Sequence, residues 1–221
     1  MPKSKPSAAR RNRTRTIEAQ AVAMLERYDC PMPYHAVRTH FLGAMCATGP
    51  IQPMKALAQI WSGALPAPPS IEAVNEFLGA LINGLWNALT LHQDERHPCR
   101  LMAFPARATR ESLVCLAKTR VEEMEGFLTG VFGDQENLEM PAPMGKSLDT
   151  LMELEGIFSS VQALLENPGK LAAASDVEGL QNQLAELTAI AEQEIHATVL
   201  GARLLREQEV TPDQAAGSIV H

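Results

Sequence analysis

Between positions 92 and 99, His92, Asp94, Glu95, His97 and Cys99 offer imidazole, carboxylate and thiolate groups, a donor set suited to zinc. On a helix, two histidines five residues apart lie about 140° apart, so they do not converge like an i, i+4 metalloprotease pair. Only a loop could gather them, and the segment reads as a polar helix exit rather than a metal site. Near the C-terminus, Glu192 precedes His196 by four residues and Glu194 precedes it by two. A di-iron bundle needs two Glu-x-x-His repeats with further inward glutamates, and no second copy exists here. Cys46 with His40, or Cys99 with His97, could meet in space as a nucleophile and base. Nothing nearby supplies the low-pKa environment that a thiolate nucleophile needs. The sequence contains no GxxxxGK[ST], GxGxxG or GxSxG. The acidic runs at Glu122, Glu123 and Glu125, and at Glu192 and Glu194, read as solvated faces. Sequence reading therefore assigns no catalytic, cofactor-binding or metal-ligating residue, and expects no cofactor.

The elements that would position these residues are helical throughout. Ala, Leu, Met, Glu and Gln are plentiful and aromatics make up only 5%, a composition whose side chains lose little freedom in a helix. Ile17, Ala21, Met24, Leu25 and Tyr28 recur at helical spacing up to the break at Cys30-Pro31-Met32-Pro33. A second helix is expected over His35–Ala47, stopped by Thr48-Gly49-Pro50, and a third over Pro53–Gly63. After the proline-rich connector at 65–70, Ser70 should cap a fourth helix from Ile71 to Leu91. Its buried face is expected to carry Ile71, Val74, Phe77, Leu78, Leu81, Leu85 and Leu89.

A fifth helix should span Thr109–Phe132. After a loop at 133–145, a helical hairpin follows, with Asn167-Pro168-Gly169 opening the connection and Ser175 with Glu178 as a capping box. Its last helix carries a short seam of Val177, Leu180, Leu184, Leu187 and Ala191. The seam fails at Glu194 and shifts to Ile195, Val199 and Leu200, which suits packing on a body better than an extended zipper. Thr211-Pro212 could cap one more short turn. Period-two alternation and Asn-Gly or Asp-Gly hairpin signals are missing. The fold class is all-α. Three segments are expected: a basic arm at 1–16, a helical body at 17–145, and a C-terminal hairpin at 146–221 packed on the body.

Charge is distributed unevenly. Lys3, Lys5, Arg10, Arg11, Arg13 and Arg15 all precede the first acid, Glu18, although the whole chain carries a net −7. The arm reads as a disordered, solvated terminus, since no aromatic interleaves the charges to stack on bases. Its alternative role is contact with nucleic acid through counterion release. The four cysteines lack a CxxC pair and read as reduced thiols. With no secretory apolar core and no run of about twenty apolar residues, the expected location is the cytoplasm, with no membrane partner.

Phe41-Leu42-Gly43-Ala44, then Thr48-Gly49-Pro50-Ile51, Pro53 and Trp61, followed much later by Gly126-Phe127-Leu128-Thr129-Gly130, resemble the two recurring motifs of the YecA/YgfB-like family of uncharacterised bacterial proteins. The resemblance covers about residues 35–135. His40 stands where the first motif usually has glycine, and no tryptophan precedes the second. No cysteine follows Cys115, so the zinc module of some members does not carry over. The resemblance implies a multi-helix bundle and leaves activity unassigned. Physically, Gly43, Gly126 and Gly130 are expected to let helices approach closely, with Phe41, Trp61 and Phe127 filling the core. The alternative is that Gly49-Pro50 and Trp61 rim a partner-binding groove. The functional expectation is a non-enzymatic interaction protein, dimeric or bound to another protein. A nucleic-acid-associated regulator using residues 1–16 is the second reading.

Overall fold

The computed structural model describes residues 8–47, 51–103, 109–133, 140–167 and 174–210. Among them are seven helices and no strand, so the all-α class holds. We number these α1 (Ala8–Arg27), α2 (Tyr34–Ala44), α3 (Pro53–Gln59), α4 (from Ile71), α5 (Arg110–Phe132), α6 (Ala142–Glu166) and α7 (Ala174–Val210). Several expected features lie outside the described residues: positions 1–7, Thr48-Gly49-Pro50, Pro168-Gly169 and Thr211-Pro212.

Helix α1 begins nine residues before the expected Ile17, so the second half of the supposed disordered arm is helical. Its C-terminal half anchors it through buried Ala21, Met24 and Leu25. Asp29 then takes a left-handed conformation (φ 47°) while the Cys30 N–H bonds back to the Leu25 carbonyl at 2.9 Å. This is a terminating turn of the kind Asn or Asp tolerates, and Pro31 prevents continuation. Helix α3 ends similarly: the Gly63 N–H (φ 92°) bonds to the Ala58 carbonyl at 2.9 Å, four residues past the last α-helical turn.

Ser70 caps α4 as expected, accepting the Ala73 N–H at 3.2 Å. The rest of α4 departs from a regular helix. Ile71–Leu78 is α-helical, Gly79–Trp86 is a π-helix, and Asn87–Leu89 leads into a 3₁₀ turn at Thr90–Gln93. The wider π turns rotate the buried face away from a 3.6-residue track. At their end Trp86 turns inward and meets Phe41 edge-on, with centroids 5.2 Å apart; Ile71, expected on the buried face, is the first helical residue after the cap and is 72% exposed. Gly84 in this segment sits against Ile17 of α1.

Helix α2 crosses α5 in the most intimate contact of the fold. A Cβ built on Gly43 would lie 2.0 Å from the Phe127 carbonyl oxygen, and one on Gly130 would lie 2.1 Å from the His40 carbonyl oxygen. At Gly126 the nearest atom is the Ala36 carbonyl oxygen, at 2.5 Å. Ala36 thus meets Gly126, and His40 meets Gly130 one turn on, so the two helices run parallel with backbone against backbone. The small residues expected to permit close approach do so, and Phe41 and Phe127 are fully buried beside them. Trp61 is only half-buried; its indole N–H donates to the Tyr28 carbonyl at 3.0 Å and its ring lies on Phe77.

Helices α5, α6 and α7 form an antiparallel meander: Arg110 at the start of α5 donates to the Leu165 carbonyl at the end of α6, and Gly201 near the end of α7 meets Met144 at the start of α6. Thr109 caps α5 through a reciprocal capping box with Ser112. The box expected at Ser175 is not the start of α7, whose helix begins at Ala174. Along α7, Leu184, Ala191, Ile195 and Val199 are buried, following the expected seam and its shift, with Val177, Leu180 and Leu187 half-buried. Arg203 and Arg206 tie the end of α7 to the Gln93 carbonyl (2.8 Å) and the Met45 carbonyl (2.7 Å). The hairpin therefore packs on the body.

Candidate functional site

The 92–99 segment runs from the 3₁₀ turn at Thr90–Gln93 into a loop. His92 donates from Nδ1 to the His97 carbonyl at 2.8 Å, closing the turn. Asp94 is held by a forked contact from Arg96, Nε to Oδ1 at 3.0 Å and Nη2 to Oδ2 at 2.6 Å, and accepts the Arg96 backbone N–H. Those hydrogen bonds hold its carboxyl well below the usual carboxylate range. Cys99 is fully buried, and burial pushes its thiol up to about 11 despite the nearby Arg38. Among the described residues, no group of three or more His, Cys, Asp or Glu side chains could hold a metal ion. The loop that could have gathered the ligands spends His92 and Asp94 on shaping itself.

Cys46 and His40 each bond a backbone carbonyl rather than one another. The Cys46 thiol donates to the Leu42 carbonyl at 3.2 Å, and burial raises its pKa to about 12. His40 donates from Nε2 to the Ala56 carbonyl at 3.2 Å, and burial lowers its pKa. The thiolate, not the thiol, is the nucleophile, and this environment suppresses it.

The most concentrated buried polar chemistry involves two acids, Glu123 and Glu192, that sequence reading placed in solvent. Arg120 and Glu123 are both fully buried on α5, paired at 2.5 Å. Arg120 also donates to the Thr188 hydroxyl at 3.0 Å and to the Met102 carbonyl at 2.6 Å, while Glu123 accepts the Met102 N–H at 2.8 Å. Beside them Glu192 accepts the Leu101 N–H at 3.0 Å and pairs with Arg100. The backbone of 101–102 has no helix or strand to satisfy it, so side chains from α5 and α7 do so instead. Glu123 and Glu192 are thus structural clamps, not solvated faces. A signal existed in the sequence: Arg120 and Glu123 fall on the stripe of Leu113, Leu116, Ala117, Met124 and Phe127 that faces the core.

Among the described residues, one exposed face of α6 combines large apolar side chains with a hollow. Along α6, Glu153, Gly156, Ile157, Ser160, Val161 and Leu164 line an open trough of about 580 Å³. Ile157 is 43% exposed and Leu164 36%. Gly156 forms its floor, and a Cβ built there would meet nothing within 4 Å. The second hollow, about 320 Å³, is polar and lies between the 90–94 turn and Arg203. Among the described residues no helix is long and apolar enough to cross a membrane. Comparison with family models, curated proteins and solved structures returned no match.

Proposed function

We propose that this protein is a non-enzymatic helical scaffold or regulator of the cytoplasm that acts by binding protein, and that the α6 trough is its recognition surface. The observation that carries the reading is the pairing of exposed Ile157 and Leu164 with an open glycine floor on a helix whose opposite side is fully packed. Gly in a helix interior costs about 1 kcal/mol relative to Ala, and among the described residues no close approach requires a glycine at position 156. Large apolar side chains flanking a hollow are what a docking helix uses, in the helix-in-groove manner. The test is copurification from native lysate with the wild-type chain and with Leu164→Glu. Any bound protein, whether foreign or a second copy, should be lost with the variant. A partner set identical for both chains would remove α6 from the reading.

A second reading, nucleic-acid binding, is favoured by one finding: α1 carries Arg10, Arg11, Arg13 and Arg15 on a helix continuous with its packed half. With no acid in its first turn, this end is disfavoured by the helix dipole and would be stabilised by phosphates. Deleting residues 1–16 and measuring DNA and RNA affinity against salt decides it; an unchanged salt slope removes the arm.

A further inference from the structure

We propose that Arg38 of α2, His92 of the 3₁₀ turn and His196 of α7 form a binding site for a small divalent oxyanion, sulfate or phosphate. The site is independent of the α6 trough. Three placements bring these side chains to the 92–102 loop. His92 closes the loop through its Nδ1 contact with the His97 carbonyl at 2.8 Å. His196 stands on α7 between Glu192, which accepts the Leu101 N–H at 3.0 Å, and Arg203, which donates to the Gln93 carbonyl at 2.8 Å. Those residues are four and seven positions from His196, so all three share the helix face turned to the loop. Arg38 enters from α2, where its guanidinium reaches the Cys99 thiol. The charged form of His92 is opposed by Arg38, His196 and His97, so each lies within electrostatic reach of it.

Charge accounting points to an anion. Each carboxylate near the cluster already has a cation: Asp94 is gripped by Arg96, Glu192 by Arg100 and Glu123 by Arg120. Among the described residues no carboxylate lies within ion-pair distance of Arg38, and its Nε is buried without a hydrogen-bond partner. Arg38 also opposes the charge of Arg120, so one buried-edge cation adds to another. The His196 Nδ1 is likewise buried and without a hydrogen-bond partner. Such atoms are rare in folded proteins, because each keeps its desolvation cost. An oxyanion supplies what both lack, since its oxygens accept from guanidinium and imidazolium N–H groups through charge-assisted bonds. Arg38, His92 and His196 are each half-buried, so the site is recessed yet open, which suits a free ion better than a bulky phosphate ester.

Binding is coupled to protons. His92 spends Nδ1 on the loop, so it offers the anion a proton only as imidazolium, from Nε2. Around His92 the charged or titratable groups are Arg38 from α2, His196 and Arg203 from α7, and His97, Asp94 and Cys99 from the loop. Burial and the cationic neighbours disfavour the charged imidazole in the free protein. An anion reverses that balance, so affinity should rise as pH falls.

Sulfate is the probe, because its charge is constant from about pH 5.5 to 8 and any pH dependence belongs to the protein. Titrated calorimetrically into the full chain at constant ionic strength, it should bind one-to-one, and at least threefold more tightly at about pH 6 than at about pH 7.5. Arg38→Gln should abolish the binding, and His196→Asn should weaken it at least threefold, with both variants folded by circular dichroism. Glycerol phosphate should bind at least threefold more weakly than inorganic phosphate; tighter binding of the ester overturns the choice of a free ion. Absence of saturable heat, or equal heats from the wild type and Arg38→Gln, overturns the site. If Arg38→Gln does not fold, the wild-type chain decides by nuclear magnetic resonance, where the Arg38 Nε–H signal should shift and saturate with sulfate. A signal unmoved by about 50 mM sulfate means that water satisfies these atoms, and the proposal fails.

Discussion

Gly43 of α2 lies so close to Phe127 of α5 that a Cβ on the glycine would stand 2.0 Å from the Phe127 carbonyl oxygen. At the same level Gly130 faces back onto α2, where a Cβ would stand 2.1 Å from the His40 carbonyl oxygen. Backbone rather than a flexible side chain is the obstacle at both points. The crossing therefore cannot accommodate a methyl group without moving one helix as a whole.

Gly43→Ala and Gly130→Ala are each expected to destabilise the protein by about 3 kcal/mol or more, measured by urea unfolding. The gain in helix propensity, about 1 kcal/mol, works against this and is too small to cancel it. Gly179→Ala on α7 is the control, since a Cβ there meets nothing within 4 Å. It should be neutral or stabilising by up to about 1 kcal/mol. Equal losses at all three positions would contradict the close crossing.

Removing one partner of the buried Arg120–Glu123 pair leaves the other's buried charge without that counter-charge. Arg120→Met is expected to cost about 3–5 kcal/mol, and Glu123→Gln less, because an amide can still accept the Met102 N–H. The double variant Arg120→Met/Glu123→Met should cost clearly less than its two single changes added together. Additivity of the two would show that the groups do not act as a pair.

Thiol reactivity should follow burial. Cys115 is exposed and is expected to alkylate first in the native protein. Cys46 and Cys99, with thiols raised to about 12 and about 11, should resist iodoacetamide at pH 8 and react only on unfolding. Burial also raises the half-buried Cys30, which should fall between these extremes. Peptide mass mapping over a time course reads the order directly.

His40 and His92 are held neutral by burial, with folded-state pKa values below the ordinary imidazole value of 6.5. Below that value the unfolded chain binds more protons than the folded one, so stability rises with pH in this window. Their contribution is complete above pH 6.5 and is lost as pH falls from there towards the folded-state values. His40→Asn should make the slope of unfolding free energy between pH 7 and about 5.5 shallower without abolishing it, since His92 acts in the same direction. An unchanged slope would show that His40 titrates alike in both states.

Much of the fold was legible because periodicity and punctuation agree over α1, α2, α5 and the α6–α7 hairpin. The spacing of Gly126 and Gly130, set against Gly43, announced a close crossing from residue types alone. Trp86 was not legible, because it lies off the 3.6-residue track and only the π-helical turns bring it onto Phe41. Glu123 was misread by its charge: a carboxylate in an acidic run suggests solvent, yet its position on the apolar stripe of α5 governs. The α6 trough was hidden for a different reason. Apolar residues at helical spacing announce burial, and no one-dimensional pattern says which of two apolar faces the rest of the chain will cover.

Ile157→Glu tests the central claim, that the α6 trough is the binding surface, most directly. Ile157 is 43% exposed, so the variant should keep its helix content and melting temperature by circular dichroism. In copurification from native lysate, the wild-type chain should retain a bound protein that the variant loses, since a buried unpaired carboxylate would oppose docking. Identical association of the two chains would contradict the account.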